Sequence, residues 1–250
     1  MKPLITNLWM GKDLPEFSAS AYGVRDIEAL YHGMKRHVTD GRLFVMVDER
    51  AHNLLTIHLP TAIYDDITII PYEGTFDRHG GWSRMLECFS PKTWETMGSP
   101  NRAVMFQLDL VLTGNCDWLW SWDQAPIGLP MDPYQRHKIT DPVVTFNHAG
   151  QTVIWREAMN CVGLDVFPHR LWDLACEMVL LQELVTRHNL PTLEGYTMEK
   201  LMSYKACRLA DRATIPDGTS IVYFHGTPKP SQIPDSSPIK QAWLSTQPQS

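Results

Sequence analysis

Apolar runs and polar turns alternate along the first half of the chain, and their period changes from segment to segment. "LITNLWM" (4–10), "LFVMV" (43–47), "LLTIHL" (54–59) and "ITII" (67–70) are short apolar runs, mostly rich in β-branched residues, the pattern of buried strands. "VRDIEALYHGMKRHV" differs: Val24, Ile27, Leu30, Tyr31, Met34 and Val38 fall at three- and four-residue steps, the stripe of a helix packed on a sheet. Strand, helix and strand in that order predict a right-handed crossover with parallel pairing, hence an α/β fold. A second stripe, Leu171, Leu174, Met178, Leu181 and Val185, predicts a helix from 171 to about 185, and "SIVYF" (220–224) predicts a last strand. After Pro230 the chain becomes polar and proline-rich, "SQIPDSSPIKQAWLSTQPQS", which predicts loop or disorder with Trp243 as a docking residue. The expected organisation is a single domain over 1–230 followed by a tail, 231–250.

"AVMFQLDLVLTGNCDWLW" (103–120) reads as a buried strand running into a polar turn, with one carboxylate, Asp109, in its middle. An acid that closes a strand is usually a turn former or helix cap, and that reading suits Asp48, which follows "LFVMV". Asp109 is different, because apolar residues continue through Val111 and Leu112. A carboxylate in such a run needs a cation, a metal or several donors, since leaving it unpaired costs several kcal/mol.

Open α/β sheets bind ligands beyond the carboxyl ends of their strands, so "HGTPKP" after "SIVYF" is a second place to look. Gly226 permits positive φ or a close backbone approach, the prolines stiffen the loop, and Lys229 supplies a point charge suited to a phosphate.

Composition narrows the classes. At 250 residues and 44% hydrophobic the chain can bury a full core, and its net charge of -6 lacks the basic surface that duplex nucleic acid usually requires. Nucleic acid is therefore an unsupported partner, though not an excluded one. Five scattered cysteines without a C-x-x-C pair point to reduced thiols and a cytoplasmic setting. No apolar run approaches the roughly 18 to 20 residues of a membrane span, and the N-terminus has no signal-peptide pattern.

Four stretches carry a family resemblance: "LWMGKD" with "VRDIEALYHGMKRHV" and "FVMVDE"; "GGWSRMLECFSP" (80–91); "MFQLDLVLTGNCDWLW"; and "SYKACRLADRATIPDGTSIVYFHGTPKP" (203–230). Together they resemble the retaining glycosyltransferases of the family 8 type, and more closely a group of bacterial and phage proteins of the same GT-A nucleotide-sugar superfamily. The resemblance implies a Rossmann-like GT-A fold, a mostly parallel sheet flanked by helices. The segment from about 120 to 200 matches poorly.

In that family a D-x-D motif ends a strand and holds a divalent metal against the donor diphosphate. With the motif's closing glycine on Gly114, the second acid falls on Asp109 and the first on Gln107, so this chain reads Q-L-D. The strand's period of two points Gln107 and Asp109 to the same side, but losing one negative charge weakens the hold on a hard cation. The resemblance implies Mn2+ or Mg2+ on Asp109 and Gln107, with His225 completing the shell. It places Lys229 and Gly226 on the diphosphate and Arg84 near it. Asn147 and Gly150 are similar to an N-x-G stretch near the sugar, with one residue inserted. A later acidic motif near the reacting sugar has only Asp173 to offer.

The expected activity is transfer of a sugar from a nucleotide-diphospho-sugar donor to an unidentified acceptor, retaining and metal-assisted, with Asp109, Lys229 and Arg84 as catalytic residues. Stabilising charge on the departing diphosphate is what such a site must supply. Two alternatives stand beside it: a nucleotide-sugar-binding protein with reduced or no turnover, which Gln107 favours, and a transferase acting on nucleic acid.

Overall fold

A computed structural model of the protein describes residues 1–10, 22–77, 81–135, 137–164, 177–191, 193, 200–224 and 226–245. The first strand, β1 (Lys2–Leu8), and the second, β2 (Gly41–Val47), pair in parallel along their full length, with helix α1 (Val24–His37) crossing between them. This is the predicted strand, helix, strand unit. α1 carries Asp26 in its first turn and Lys35, Arg36 and His37 in its last, charges that complement the helix dipole.

The next segment corrects the sequence reading. Residues 54–59, expected as a strand, lie in helix α2 (Glu49–His58). Asp48 caps that helix, its Oδ1 accepting the Ala51 N–H at 2.7 Å, and Ala51, Leu55 and Leu59 are buried at four-residue steps. The expectation that Asp48 is a cap holds. A one-turn helix, α3 (Thr61–Tyr64), leads to β3 (Thr68–Pro71), which pairs in parallel with β2. A 3-10 helix (Gly81–Phe89) and α4 (Pro91–Thr96) precede β4 (Ala103–Phe106), parallel to β1.

The apolar run 103–112 is not one strand. The chain leaves the first sheet at Phe106 and enters a second one as β5 (Leu110–Leu112), so Gln107, Leu108 and Asp109 form the link between sheets. After α5 (Trp118–Ser121), β6 (Ile127–Gly128) and β7 (Val143–Phe146) complete the first sheet, in the order β3-β2-β1-β4-β7-β6. β7 runs antiparallel to β4, and β6 antiparallel to β7. Helices α6 (His148–Leu164) and α7 (Glu177–Arg187) follow. The expected helix from 171 begins on residues outside the described ones, while its second half lies in α7. β8 (Leu201–Ser203) and β9 (Ile221–Tyr223) join β5 in a three-stranded sheet ordered β5-β9-β8.

Alternation along β1 and β2 divides the core. Leu4, Leu8, Leu43, Val45 and Val47 face α1 and α2, whereas Ile5, Phe44 and Met46 face the 3-10 helix, α4, α6 and α7. α1 also closes on β5, where a Cβ on Gly33 would stand 3.3 Å from the Leu112 side chain. A third cluster lies under the small sheet and corrects the reading of the tail: residues 238–244 form helix α8 (Pro238–Leu244), and Trp243 is 4% exposed against Val111, Val222 and Phe224. Trp243 does dock, as expected, but from a helix started by proline rather than from a loop. The result is a mixed α/β domain with a mostly parallel central sheet. Among the described residues no helix is long and apolar enough to cross a membrane.

Candidate active site

Asp109 sits where the two sheets meet. Its backbone carbonyl accepts the Phe224 N–H at 2.8 Å, which extends the β5-β9 ladder by one bond and sets the end of β9 beside it. The chain then turns through Gly226, whose φ of +61° suits glycine, and returns Lys229 toward Asp109. Lys229 Nζ donates to Asp109 Oδ2 at 3.2 Å and to the Tyr22 hydroxyl at 2.5 Å, and lies 4.9 Å from the centre of the Tyr22 ring. The acid and the base are mostly buried, with 11% and 14% of their side chains exposed. The carboxylate in the apolar run therefore has its cation, from a residue 120 positions later.

Tyr22 stands immediately before α1, and Asp26 lies in the first turn of that helix, its Oδ2 accepting the Gly23 N–H at 2.8 Å. Burial pushes the Tyr22 hydroxyl well above its ordinary pKa, and the Asp109 and Asp26 carboxylates act in the same direction. Tyr22 therefore stays protonated at neutral pH. Burial also raises Asp26, to about 6, against hydrogen bonds from Gly23 and its own backbone and the charges of Arg25 and Lys229. A second ammonium approaches the same loop: Lys205 Nζ is 4.0 Å from where a Cβ on Gly226 would stand.

The other expected site residues are distributed as follows. Gln107 is half-buried in the link between sheets, its N–H donating to the Pro142 carbonyl at 3.0 Å. Arg84 lies in the 3-10 helix, 7% exposed, its Nε bonded to Asp77 at 3.0 Å and its guanidinium over the Tyr72 ring. Tyr72 continues from β3 and bonds the Val47 carbonyl, so Arg84 shares the carboxyl rim of the parallel strands with Asp109. Asn147 is not at this rim. The register of β4 against β7 pairs Ala103 with Phe146 and Phe106 with Val143, which puts Asn147 at the opposite end of the sheet, more than about 13 Å away along the strand. Its Oδ1 accepts the Gly150 N–H at 3.0 Å, the role of a helix cap for α6. His225 and Asp173 lie outside the described residues.

The described residues do not fit a hard divalent cation well. Such ions take about six oxygen ligands and favour carboxylates. Of the expected ligands, the described residues supply one carboxylate, Asp109, and one neutral amide, Gln107, and an ammonium already holds that carboxylate. Among the described residues no group of three or more His, Cys, Asp and Glu could hold a metal.

The site thus offers a fixed ammonium, a protonated phenol and a second lysine around a loop at the carboxyl end of the central strands, groups suited to an anion. The architecture has known counterparts. A galactosyltransferase, LgtC, crystallised with donor and acceptor sugar analogues, matches with a TM-score of 0.59 at 11% identity, over 96% of this chain and 95% of that one. The fold is that of the GT-A glycosyltransferases. The glycosyltransferase GlyE of Streptococcus pneumoniae TIGR4 matches with a TM-score of 0.60 at 13% identity, over 98% of this chain and 60% of GlyE. The bifunctional glycosyltransferase WbbM matches over 98% of this chain and 50% of its own, with a TM-score of 0.56 and 10% identity. No model of a known protein family and no curated protein sequence matches the chain. At these identities the GT-A likeness is one of fold, and the residues carry the functional argument.

Of the expected residues the structure brings Asp109, Gly226 and Lys229 together, and beside them stand Tyr22, Asp26 and Lys205, which the sequence did not single out. Tyr22 and Lys229 are 207 positions apart, with no pattern linking them. Lys205 had a signal, since it lies in "SYKACRLADR", one of the stretches that carry the resemblance.

Proposed function

We propose that the protein transfers a sugar from a nucleotide-diphospho-sugar to an acceptor, with the donor diphosphate held at the loop Gly226–Lys229. The observation that carries this reading is the Lys229 ammonium, fixed between Asp109 and Tyr22 beside the end of a central strand of a GT-A fold. Breaking the bond between the sugar C1 and the diphosphate builds negative charge on the leaving oxygen, and a preorganised cation in a partly dry site stabilises it at little reorganisation cost. Lys229 supplies that charge, Lys205 adds to it across the loop, and Tyr22 donates a proton-bearing hydroxyl. Asp109 acts as the group that orients Lys229, which is a different role from metal ligand. Among the described residues near Lys229 the carboxylates Asp109 and Asp26 are already engaged, by Lys229 and the Gly23 N–H. Transfer with retention needs no protein nucleophile when the acceptor attacks from the face the diphosphate leaves.

Incubating the protein with a panel of nucleotide sugars and following nucleoside diphosphate release tests this reading. Release with one donor, abolished by Lys229→Met, is the expected result. Binding without release from any donor would support the second reading, a nucleotide-sugar-binding protein, which the neutral Gln107 favours. Neither binding nor release would refute both.

A further inference from the structure

Lys240 carries a charge where charge is costly. It lies in α8 with 4% of its surface exposed, and burial pushes its pKa down. Among the described residues no carboxylate comes within ion-pair distance of its Nζ, and Asp26 and Asp235 act on it only from farther away. The ammonium instead donates to two backbone carbonyls, Pro230 at 3.0 Å and Ser231 at 2.6 Å, and stands 4.6 Å from the centre of the Trp243 ring. A buried ammonium needs several acceptors, and here the two carbonyls and the ring provide them.

Those carbonyls belong to the two residues that follow Lys229. They open a 3-10 turn (Pro230–Gln232) in which Gln232 Oε1 accepts the Lys229 N–H at 2.8 Å. Backbone on one side of Lys229 is thus set by the turn at Gly226, and on the other by Lys240. α8 is in turn anchored on α1: Arg36 donates to the carbonyls of Ala242 and Ser245 at the end of α8, and Arg25 lies over the Trp243 ring at 5.2 Å. α1 begins beside Tyr22, the second partner of the Lys229 ammonium. One helix pair therefore holds both the base of the Lys229 side chain and one of the groups at its tip.

We propose that Lys240 is a positioning residue for the donor site: through the Pro230 and Ser231 carbonyls it holds the backbone that aims Lys229 Nζ at Asp109 and Tyr22. The consequence for transfer rests on the reading of Lys229 given above, whereas the hold on Lys229 does not. Small displacements of a charged group in a preorganised site cost large factors in affinity and rate.

The test uses the full chain and two readouts. Reductive methylation of lysines, followed by mass spectrometry of the peptide containing Lys229, reports how well its ammonium is held. Lys35 and Lys92, with 45% and 64% of their side chains exposed, serve as internal references. Calorimetry with uridine and guanosine diphosphates reports the anion site. In Lys240→Met, which keeps the chain length and removes the charge, Lys229 should methylate about tenfold faster relative to the references. The dissociation constant of whichever diphosphate binds should rise about tenfold, equivalent to about 1.4 kcal/mol. Lys240→Arg, which retains donors for both carbonyls, should restore both readouts in large part. If Lys240→Met fails to fold, Lys240→Gln keeps one donor and carries the same comparison. Unchanged Lys229 protection in a folded variant overturns the proposal, as does weakened diphosphate binding with Lys229 protection intact. Faster methylation in a protein that binds neither diphosphate would uphold the positioning role and count against the donor reading.

Discussion

The pair Asp109–Lys229 is open to a direct energetic test by double-mutant cycle. At 3.2 Å, with an effective dielectric constant near 20, two unit charges attract by about 5 kcal/mol. Stripping water from two groups that keep only 11% and 14% of their side chains exposed offsets roughly half of that, which leaves an expected coupling of about 2 to 3 kcal/mol. Asp109→Asn leaves the Lys229 ammonium without its counter-charge, and Lys229→Met leaves a carboxylate in an apolar link. Each single variant should lose about 3 kcal/mol, a drop of roughly 6 to 12 °C in Tm for a chain of this size. The double variant, with both charges removed, should lose much less than the sum. Urea unfolding of the four proteins, followed by circular dichroism, gives the coupling from the midpoints and slopes. A coupling below about 0.5 kcal/mol would refute the claim that Lys229 is the group that permits a carboxylate at position 109.

Three further outcomes are expected. Glu87 is 1% exposed, and its pKa is raised from 4.5 to about 7 by burial first and then by Glu73 and Asp77, so the fold favours its protonated form. Stability from this group falls as pH rises from about 4.5 to about 7, and Glu87→Gln should melt above wild type at pH 8 with a gain that shrinks toward pH 5. Trp243→Ala should cost about 3 to 5 kcal/mol by opening a cavity under the small sheet, seen as a lower urea midpoint, whereas a disordered tail would give no change. Binding of uridine or guanosine diphosphate should be the same in EDTA as in manganese, as calorimetry can show. A manganese-dependent gain would place a metal ligand beyond the described residues, with His225 the first candidate to replace.

What the sequence made legible follows from how far apart the interacting residues are. β1, α1 and β2 could be read from periodicity because each buries its face against an immediate neighbour in the chain, so a local pattern records a local contact. Asp109 was legible for the opposite reason: an acid inside an apolar run violates the local pattern, and such violations concentrate at sites. Its pairing was not, because Lys229 and Tyr22 meet it from opposite ends of the chain, with no local pattern that links them. The break at Gln107 was hidden by uniform burial, since Ala103 to Phe106 and Leu110 to Leu112 are equally apolar while belonging to different sheets.

α2 and α8 show the limits of composition from two directions. α2 carries Thr56 and Ile57 on its exposed side, which makes 54–59 look like a strand, although Asp48 had already marked a helix start. α8 lies in a polar, proline-rich tail and has just seven residues, too short to be a stable helix alone. Its order comes from Trp243 and Ile239 inserted under β5 and β9, and from Lys240 against the loop it holds. A segment whose structure depends on one tryptophan, one buried lysine and a helix two hundred residues upstream cannot announce itself by composition. For the same reason, the part of this chain least helix-like in sequence is the part that bears on how its lysine is aimed.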